Sequence, residues 1–247
     1  MPRLTPNPSR FRSWLFLEPA CTALFAAAGA ETVAGCAEAG RQLGQEVARG
    51  HHVNVWRTPL HAGGRSETFY IKRYTYEDAP GRYWGRPSRA WNEYRNYRIF
   101  MDLGIPGPET VMAGETRSWR GLHQALVVTR EIPRCRNLAD LVTDPVFARD
   151  RAVRRHILAR LGHFAALAHR RAFFHGDLKL RNILVQDFPA PDCGVYWIDC
   201  PKGGYRRFRR ARLAAADLAG MEPLAGALRQ NEWAELLTAY HAALRPA

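Results

Sequence analysis

The sequence predicts an α+β protein built from two unlike lobes, a small strand-rich first half and a helical second half. Two patterns and one size argument support this. From Val53 the chain alternates with period two, Val53, Val55 and Arg57 against His52, Asn54 and Trp56, then turns at Ala62-Gly63-Gly64 into a second run over 68–74, the signature of an antiparallel hairpin. After Asp144-Pro145 the apolar residues Val153, Ile157, Leu158, Leu161, Phe164, Ala165 and Ala168 recur at steps of three and four, which places them on one helix face. A chain of 247 residues with 47% hydrophobic and 24% charged residues suits one large domain or two small lobes and is neither disordered nor fibrous in composition. The expected organisation is an N-terminal helical extension and the start of the first lobe over 1–50, the rest of that lobe over 51–132, the second lobe over 133–247, and a cleft between the two.

The elements follow in order. Arg3, Arg10 and Arg12 precede an apolar run over 14–28, and Ala28-Gly29-Ala30 resembles a signal-peptidase site. Glu18 and Pro19 interrupt that run, leaving it far short of the roughly 18 apolar residues of a membrane span. The segment therefore reads as a short helix over 19–28, closed by Gly29, with Leu24 and Phe25 packed on the body. A helix over 88–103 starts on Ser88 as its cap and stops at Gly104 with Pro106 beyond. Residues 126–129 form a short buried strand, and Ile183-Leu184-Val185 and Val195-Tyr196-Trp197-Ile198-Asp199 add two more.

The net charge of +13 favours anionic partners: nucleotide, phospholipid headgroup or nucleic acid. Five cysteines, Cys21, Cys36, Cys135, Cys193 and Cys200, show no CxxC spacing and no histidine at metal-ligand intervals, so they read as reduced thiols of a cytoplasmic protein with no zinc site. Of the 36 basic residues only Lys72, Lys179 and Lys202 are lysines. In a chain that writes arginine almost everywhere, a lysine needs a local reason, such as a compact ammonium meeting a phosphate.

The most specific segment is His175-Gly176-Asp177-Leu178-Lys179-Leu180-Arg181-Asn182. Phosphoryl transfer needs a carboxylate to orient a hydroxyl and accept its proton, and an amide oxygen to hold Mg2+ against the phosphate. Asp177 and Asn182 suit those tasks, and Lys179 lies where an ammonium reaches the transferring group. Asp199 ends an apolar strand just before Cys200-Pro201, which must turn the chain; a carboxylate there suits a hard cation bridging nucleotide phosphates. A strand-end aspartate is by itself more often a turn former, and a capping aspartate with a turn asparagine would give the same letters in the 175–182 segment. Lys72, inside the apolar run Phe69-Tyr70-Ile71-Lys72, is costly to bury unless an anion pairs with it. Glu93 is its natural partner on the following helix; a snorkelling lysine and a surface glutamate are the plain alternative.

In this order and context Lys72, Glu93, Asp177, Asn182 and Asp199 resemble the protein-kinase-like superfamily. More narrowly, Arg89-Ala90-Trp91-Asn92-Glu93-Tyr94-Arg95-Asn96, Leu103-Gly104-Ile105-Pro106-Gly107-Pro108, the 175–185 loop and Arg209-Arg210 through Asp217-Leu218-Ala219 resemble the lipopolysaccharide kinase (Kdo/WaaP) family over about 53–225. The resemblance implies a two-lobed fold with an ATP cleft. It also implies transfer of the γ-phosphate of ATP, with Mg2+, to a heptose or Kdo hydroxyl of the lipopolysaccharide inner core at the cytoplasmic face of the inner membrane. By it Asp177 and Lys179 are catalytic; Lys72, Glu93, Asn182 and Asp199 hold the nucleotide, the last two through the metal; and the backbone of Arg130, Glu131 and Ile132 reads adenine. Asp217 resembles the buried acid that anchors the catalytic loop, and His175 is expected to orient that loop.

Several departures carry consequences. No Gly-rich phosphate loop is legible, since Gly40, Gly44 and Gly50 are scattered and Gly63-Gly64 fits a hairpin turn. Asp199-Cys200-Pro201 stands where kinases have Asp-Phe-Gly, and without that glycine's freedom no flipping activation switch is expected. Arg206, Arg207, Arg209, Arg210 and Arg212 either form a solvated helix face or bind the acceptor, a lipid-linked sugar with phosphates and acidic groups, or an anionic membrane surface. Phe11, Trp14 and Phe16 are an interfacial foot or part of the first lobe's packing. Two other classes stay open: a kinase acting on a protein or a tRNA-modifying complex, and a basic pseudokinase binding module. No groove-reading motif favours a specific nucleic-acid partner.

Overall fold

The computed structural model describes residues 12–76, 80–222, 224 and 232–244; Arg3, Arg10 and Phe11 lie outside them. The chain divides into two compact units, Met1–Arg95 with Glu109–Glu131, and Asn96–Pro108 with Ile132–Ala247.

In the first unit the apolar run over 14–28 breaks where Glu18-Pro19 breaks it in sequence. Before the break lies a strand, β1 (Trp14–Leu17); after it come a 3-10 turn and the helix α1 (Thr22–Ala27). Proline suits a helical start and cannot donate to a ladder. Gly29 closes this helical stretch at φ +62, and Leu24 and Phe25 are buried. Helix α2 (Val33–Leu43) follows, with Thr32 Oγ1 accepting the Gly35 amide at 2.9 Å. Next come β2 (Gln45–Gly50), β3 (Val53–Ala62), β4 (Arg65–Thr75), the start of helix α3 (Arg89–Leu103), whose residues from Asn96 onward belong to the second unit, then β5 (Thr110–Ser118) and β6 (Gly121–Arg130). The six strands form one antiparallel sheet in the order β1-β5-β6-β4-β3-β2. Gly63 and Gly64, at φ +56 and +78, make the two-residue β3–β4 turn whose left-handed residues match the strand twist.

Strand alternation then sorts β4. Phe69 and Ile71 join Leu24, Phe25, Cys36 and Trp56 in one buried cluster, whereas Tyr74 joins Tyr94, Ala113 and Val127 in another. Lys72, two residues from Tyr74, shares its face. Trp14 and Phe16 pack on α3, with ring centroids 5.1 Å from Trp91 and 5.4 Å from Tyr94. These two residues are therefore packing of this unit, while Leu15 between them is exposed.

The second unit contains β7 (Cys135–Asn137), α4 (Leu138–Leu141), α5 (Pro145–Arg149), α6 (Arg151–Arg170), β8 (Phe173–Phe174), β9 (Ile183–Gln186), β10 (Gly194–Trp197), β11 (Gly204–Tyr205), α7 (Arg210–Gly220) and α8 (Glu232–Leu244). Asp150 caps α6 by accepting the Val153 amide at 3.0 Å. All seven apolar positions that predicted this helix are buried. Arg154 on α6 and Glu232 on α8 form a salt bridge at 2.8 Å with both side chains only 1% exposed. The Arg154 Nη1 also donates to the carbonyls of Phe147 and Ala148, so the buried guanidinium is satisfied on more than one side.

Candidate active site

The first unit places Lys72 at the centre of its sheet, opposite Val55 of β3 and Val127 of β6. Its Nζ lies 3.2 Å from Glu93 Oε1 and 3.1 Å from Oε2. Tyr74 Oη donates to Glu93 Oε2 at 2.7 Å, so the carboxylate is held from β4 twice. Ser88 caps α3 by accepting the Trp91 amide at 3.0 Å, which sets the helix phase that turns Glu93 inward. The lysine is 15% exposed and the glutamate 3%, which makes this pair an oriented cation rather than a surface contact. Tyr74 is thus a third member of this buried cluster, and its signal in the sequence is its place two residues after Lys72 on one strand.

The last residues of this unit are Arg130 and Glu131. The Arg130 amide donates to Glu109 O and the Glu131 amide to Thr68 O, both at 2.9 Å. Glu131's carboxylate is gripped by Arg57 at 2.6 and 3.0 Å. The sheet thus uses both amides, which cannot also serve a base edge. The Gly50–Val53 turn between β2 and β3 lies near Lys72, since Val53 pairs with Tyr74 and His52 O accepts the Thr75 amide at 3.0 Å.

In the second unit the 175–182 segment is mostly irregular backbone and is held by side chains from far along the chain. Asp217 is the one buried residue of α7, and its two oxygens accept the amides of His175 and Gly176 at 2.8 and 2.9 Å. His169 Nε2 lies 3.3 Å from the same carboxylate, and its Nδ1 is 3.0 Å from Tyr240 Oη. His175 is fully buried between Phe100 and Trp197 and donates from Nε2 to Ile198 O at 3.1 Å. Burial holds its imidazole below the ordinary histidine range, against the pull of Asp217, the Ile198 carbonyl, Asp199 and Asp177, so it is a neutral strut.

This frame presents Asp177. Lys179 Nζ is 2.7 Å from its Oδ1 and Lys202 Nζ 3.7 Å from its Oδ2. Burial pushes the Asp177 carboxyl up, but the hydrogen bond from Lys179 and the charges of Lys202, Lys179 and Arg181 outweigh it and hold the group below the usual carboxylate range. Asp177 is thus an ionised acceptor of hydrogen bonds at neutral pH.

Asn182 and Asp199, 17 positions apart, become neighbours through one register. β9 and β10 pair with Trp197 opposite Ile183, and the Ile198 amide continues the ladder to Asn182 O at 2.9 Å. Asn182 Nδ2 donates to Asp177 O at 2.8 Å, which fixes the amide and leaves its oxygen as the acceptor end. Asp199 has φ +57, an uncommon conformation for a non-glycine residue, and its amide donates to the Tyr97 hydroxyl oxygen at 3.0 Å, which ties it to α3. Asn96 Nδ2 donates to Cys200 O at 2.7 Å and Gly203 O at 3.0 Å, bracing the turn that follows. The partners of Asn96 and Tyr97 lie about a hundred positions along the chain, so nothing local in the sequence marks these two residues. Two oxygen donors without sulfur or imidazole suit a hard cation that keeps several waters. Among the described residues no group of three or more His, Cys, Asp or Glu side chains is arranged to hold a metal. Arg206, Arg207, Arg209 and Arg210 are exposed, around the start of α7.

Comparison with family models matches residues 33–240 to the Lipopolysaccharide kinase (Kdo/WaaP) family. The chain belongs to that family. As a lipopolysaccharide kinase it is an ATP-using phosphotransferase with an alcohol group as acceptor. Among solved structures, one described as WaaP in complex with acyl carrier protein is similar with a TM-score of 0.68 at 20% identity, covering 94% of this chain and 90% of that one. That likeness supports the protein-kinase-like fold. Curated protein sequences yield no match. Among the described residues no helix is long and apolar enough to cross a membrane.

Proposed function

We propose that this lipopolysaccharide kinase phosphorylates a heptose or Kdo hydroxyl of the inner core by in-line attack on the γ-phosphate of ATP. The observation that carries the reading is the ionised Asp177 carboxylate, with Lys179 on one oxygen, on a loop whose amides are held by Asp217. Asp177 orients the sugar hydroxyl and accepts its proton as the new oxygen–phosphorus bond forms and the bond from the γ-phosphorus to the bridging oxygen breaks, releasing ADP; its low basicity suits a late proton transfer. Lys179 follows the charge of the transferred phosphoryl group, and Lys72, oriented by Glu93, holds the nucleotide phosphates. Asn182 and Asp199 are the residues that would hold Mg2+, which supplies charge neutralisation to the phosphate oxygens. Ile132 remains as a main-chain reader of adenine alongside the Glu131 carbonyl.

The acceptor is anionic and lipid-linked in this reading, and the exposed Arg206, Arg207, Arg209 and Arg210 with Phe208, 83% exposed, among them support contact with it or with an anionic inner-membrane surface on the cytoplasmic side. Tyr205 is exposed at the head of the same run.

The test is transfer of label from Mg-ATP to dephosphorylated lipopolysaccharide core, bulk protein and tRNA, by wild type and Asp177→Ala in parallel. Label is expected on the core, reduced about 10²- to 10⁴-fold in the variant, with ATP binding retained; Asp199→Ala is expected to weaken Mg-ATP binding as well. Label only on protein or tRNA would overturn the acceptor, and equal turnover in Asp177→Ala would overturn the mechanism.

A further inference from the structure

Three lysines stand among 36 basic residues, and the proposed reaction employs two of them. The third, Lys202, converges on the same carboxylate as Lys179, with its Nζ 3.7 Å from Asp177 Oδ2. Its backbone is clamped from three sides. Asn96 holds the carbonyls of Cys200 and Gly203, β11 pairs with β8 through Gly204 and Phe174, and Gly176 and Gly203 allow close approach. A Cβ at Gly176 would lie 3.2 Å from Lys202 O, and one at Gly203 would lie 2.3 Å from Cys200 Sγ. The side chain, in contrast, is 68% exposed.

Stability does not explain this arrangement. An exposed ion pair contributes only about 0–1 kcal/mol, and an arginine would provide it in a chain that otherwise writes arginine. Arginine's planar fork would, however, engage both oxygens of the carboxylate and withdraw them from a hydroxyl. A lysine stands beside Asp177 as a point charge with rotatable donors and leaves the carboxylate open. Its chain neighbours outward are also cationic: Arg206 Nη2 donates to Lys202 O at 3.3 Å, and exposed Arg207, Arg209 and Arg210 follow.

We propose that Lys202 is an acceptor-binding residue that pairs with an anionic oxygen, carboxylate or phosphate, beside the hydroxyl oriented by Asp177. This rests on the kinase reading above and adds a specificity determinant to it. Lys202 is the inner end of a cationic track, and acceptors lacking the anionic group lose that contact.

The test compares wild type and Lys202→Met on three acceptors made from one lipopolysaccharide preparation: dephosphorylated with carboxylates intact, dephosphorylated with carboxylates reduced to alcohols, and phosphate-bearing with carboxylates reduced. The variant is expected to raise KM about tenfold or more, the effect of losing a hydrogen bond to a charged group, on the acceptor whose anion Lys202 binds. On the doubly neutral acceptor KM stays at the wild-type value, as does KM for ATP. Which anionic acceptor responds identifies carboxylate or phosphate as the group. No change on any acceptor, the same change on all three, or a change in KM for ATP instead would overturn the proposal while leaving the kinase reading intact. Absence of wild-type transfer to every acceptor would remove the kinase reading, and this proposal with it.

Discussion

The two units hold their site residues by different means. In the first, Lys72 and Glu93 sit on regular elements, β4 and α3, and strand alternation plus helix phase bring them together. In the second, Asp177 and Asp199 lie on irregular backbone, and side chains from elsewhere hold that backbone: Asp217 for the loop, and Asn96 and Tyr97 for the turn after β10. Regular elements satisfy their own amides and position a side chain through their repeat. An irregular loop has no ladder, so each buried amide needs a dedicated acceptor. The second design concentrates the consequences of substitution in a few anchors.

The comparison breaks most visibly at Asp217. Asp217→Ala leaves the His175 and Gly176 amides and the His169 ring buried without that acceptor, and each such group costs about 1–3 kcal/mol. A stability loss of about 3–5 kcal/mol is expected in chemical denaturation, together with loss of turnover; an unchanged midpoint would show that the loop is held by other contacts.

A smaller effect is expected in the first unit. Glu93→Gln keeps a partner for the Tyr74 hydroxyl but removes the charge opposite Lys72, and the sheet still carries the lysine in register. KM for ATP is expected to rise about tenfold, with a stability loss smaller than that of Asp217→Ala, because the partly buried ammonium loses its anion but keeps an amide oxygen as acceptor. A loss of stability matching that of Asp217→Ala would erase the distinction between the two designs.

The smallest effect is a pH dependence that sharpens it. The buried imidazole of His175 has a folded-state pKa below its unfolded value, which is about 6.5. Below that value the unfolded chain takes up a proton that the folded chain refuses, so the contribution is fully present above it and is lost as pH falls. His175→Gln, which keeps a donor for Ile198 O, is expected to lose less stability than wild type between pH 7 and pH 5.5, by about 1 kcal/mol. Equal slopes in the two proteins would place the acid sensitivity in other groups.

Much of this design was legible beforehand, for reasons specific to each residue. Lys72 was conspicuous because a cation in an apolar strand requires a partner, and Glu93 because few acids lie on the next helix. The hairpin turn at Gly63-Gly64 and the buried face of α6 followed from periodicity, which local sequence sets. The Arg130 and Glu131 amides could not be assigned, since their use by Glu109 and Thr68 depends on strand pairing. Asn96 and Tyr97 looked like ordinary helix residues, because nothing within a few positions of them reveals a partner a hundred residues away.

The sequence by itself determined the strand-rich and helical halves, the order of the five candidate site residues and the scarcity of lysine that made each one informative. These depend on residue type and spacing, which are local properties of a chain. Only the tertiary structure decided that Asn182 and Asp199 share a hairpin mouth, that Asp217 anchors the loop through two amides, and that Lys202 turns toward Asp177. Those depend on register and burial, which arise when distant segments satisfy one another's polar groups in the folded chain.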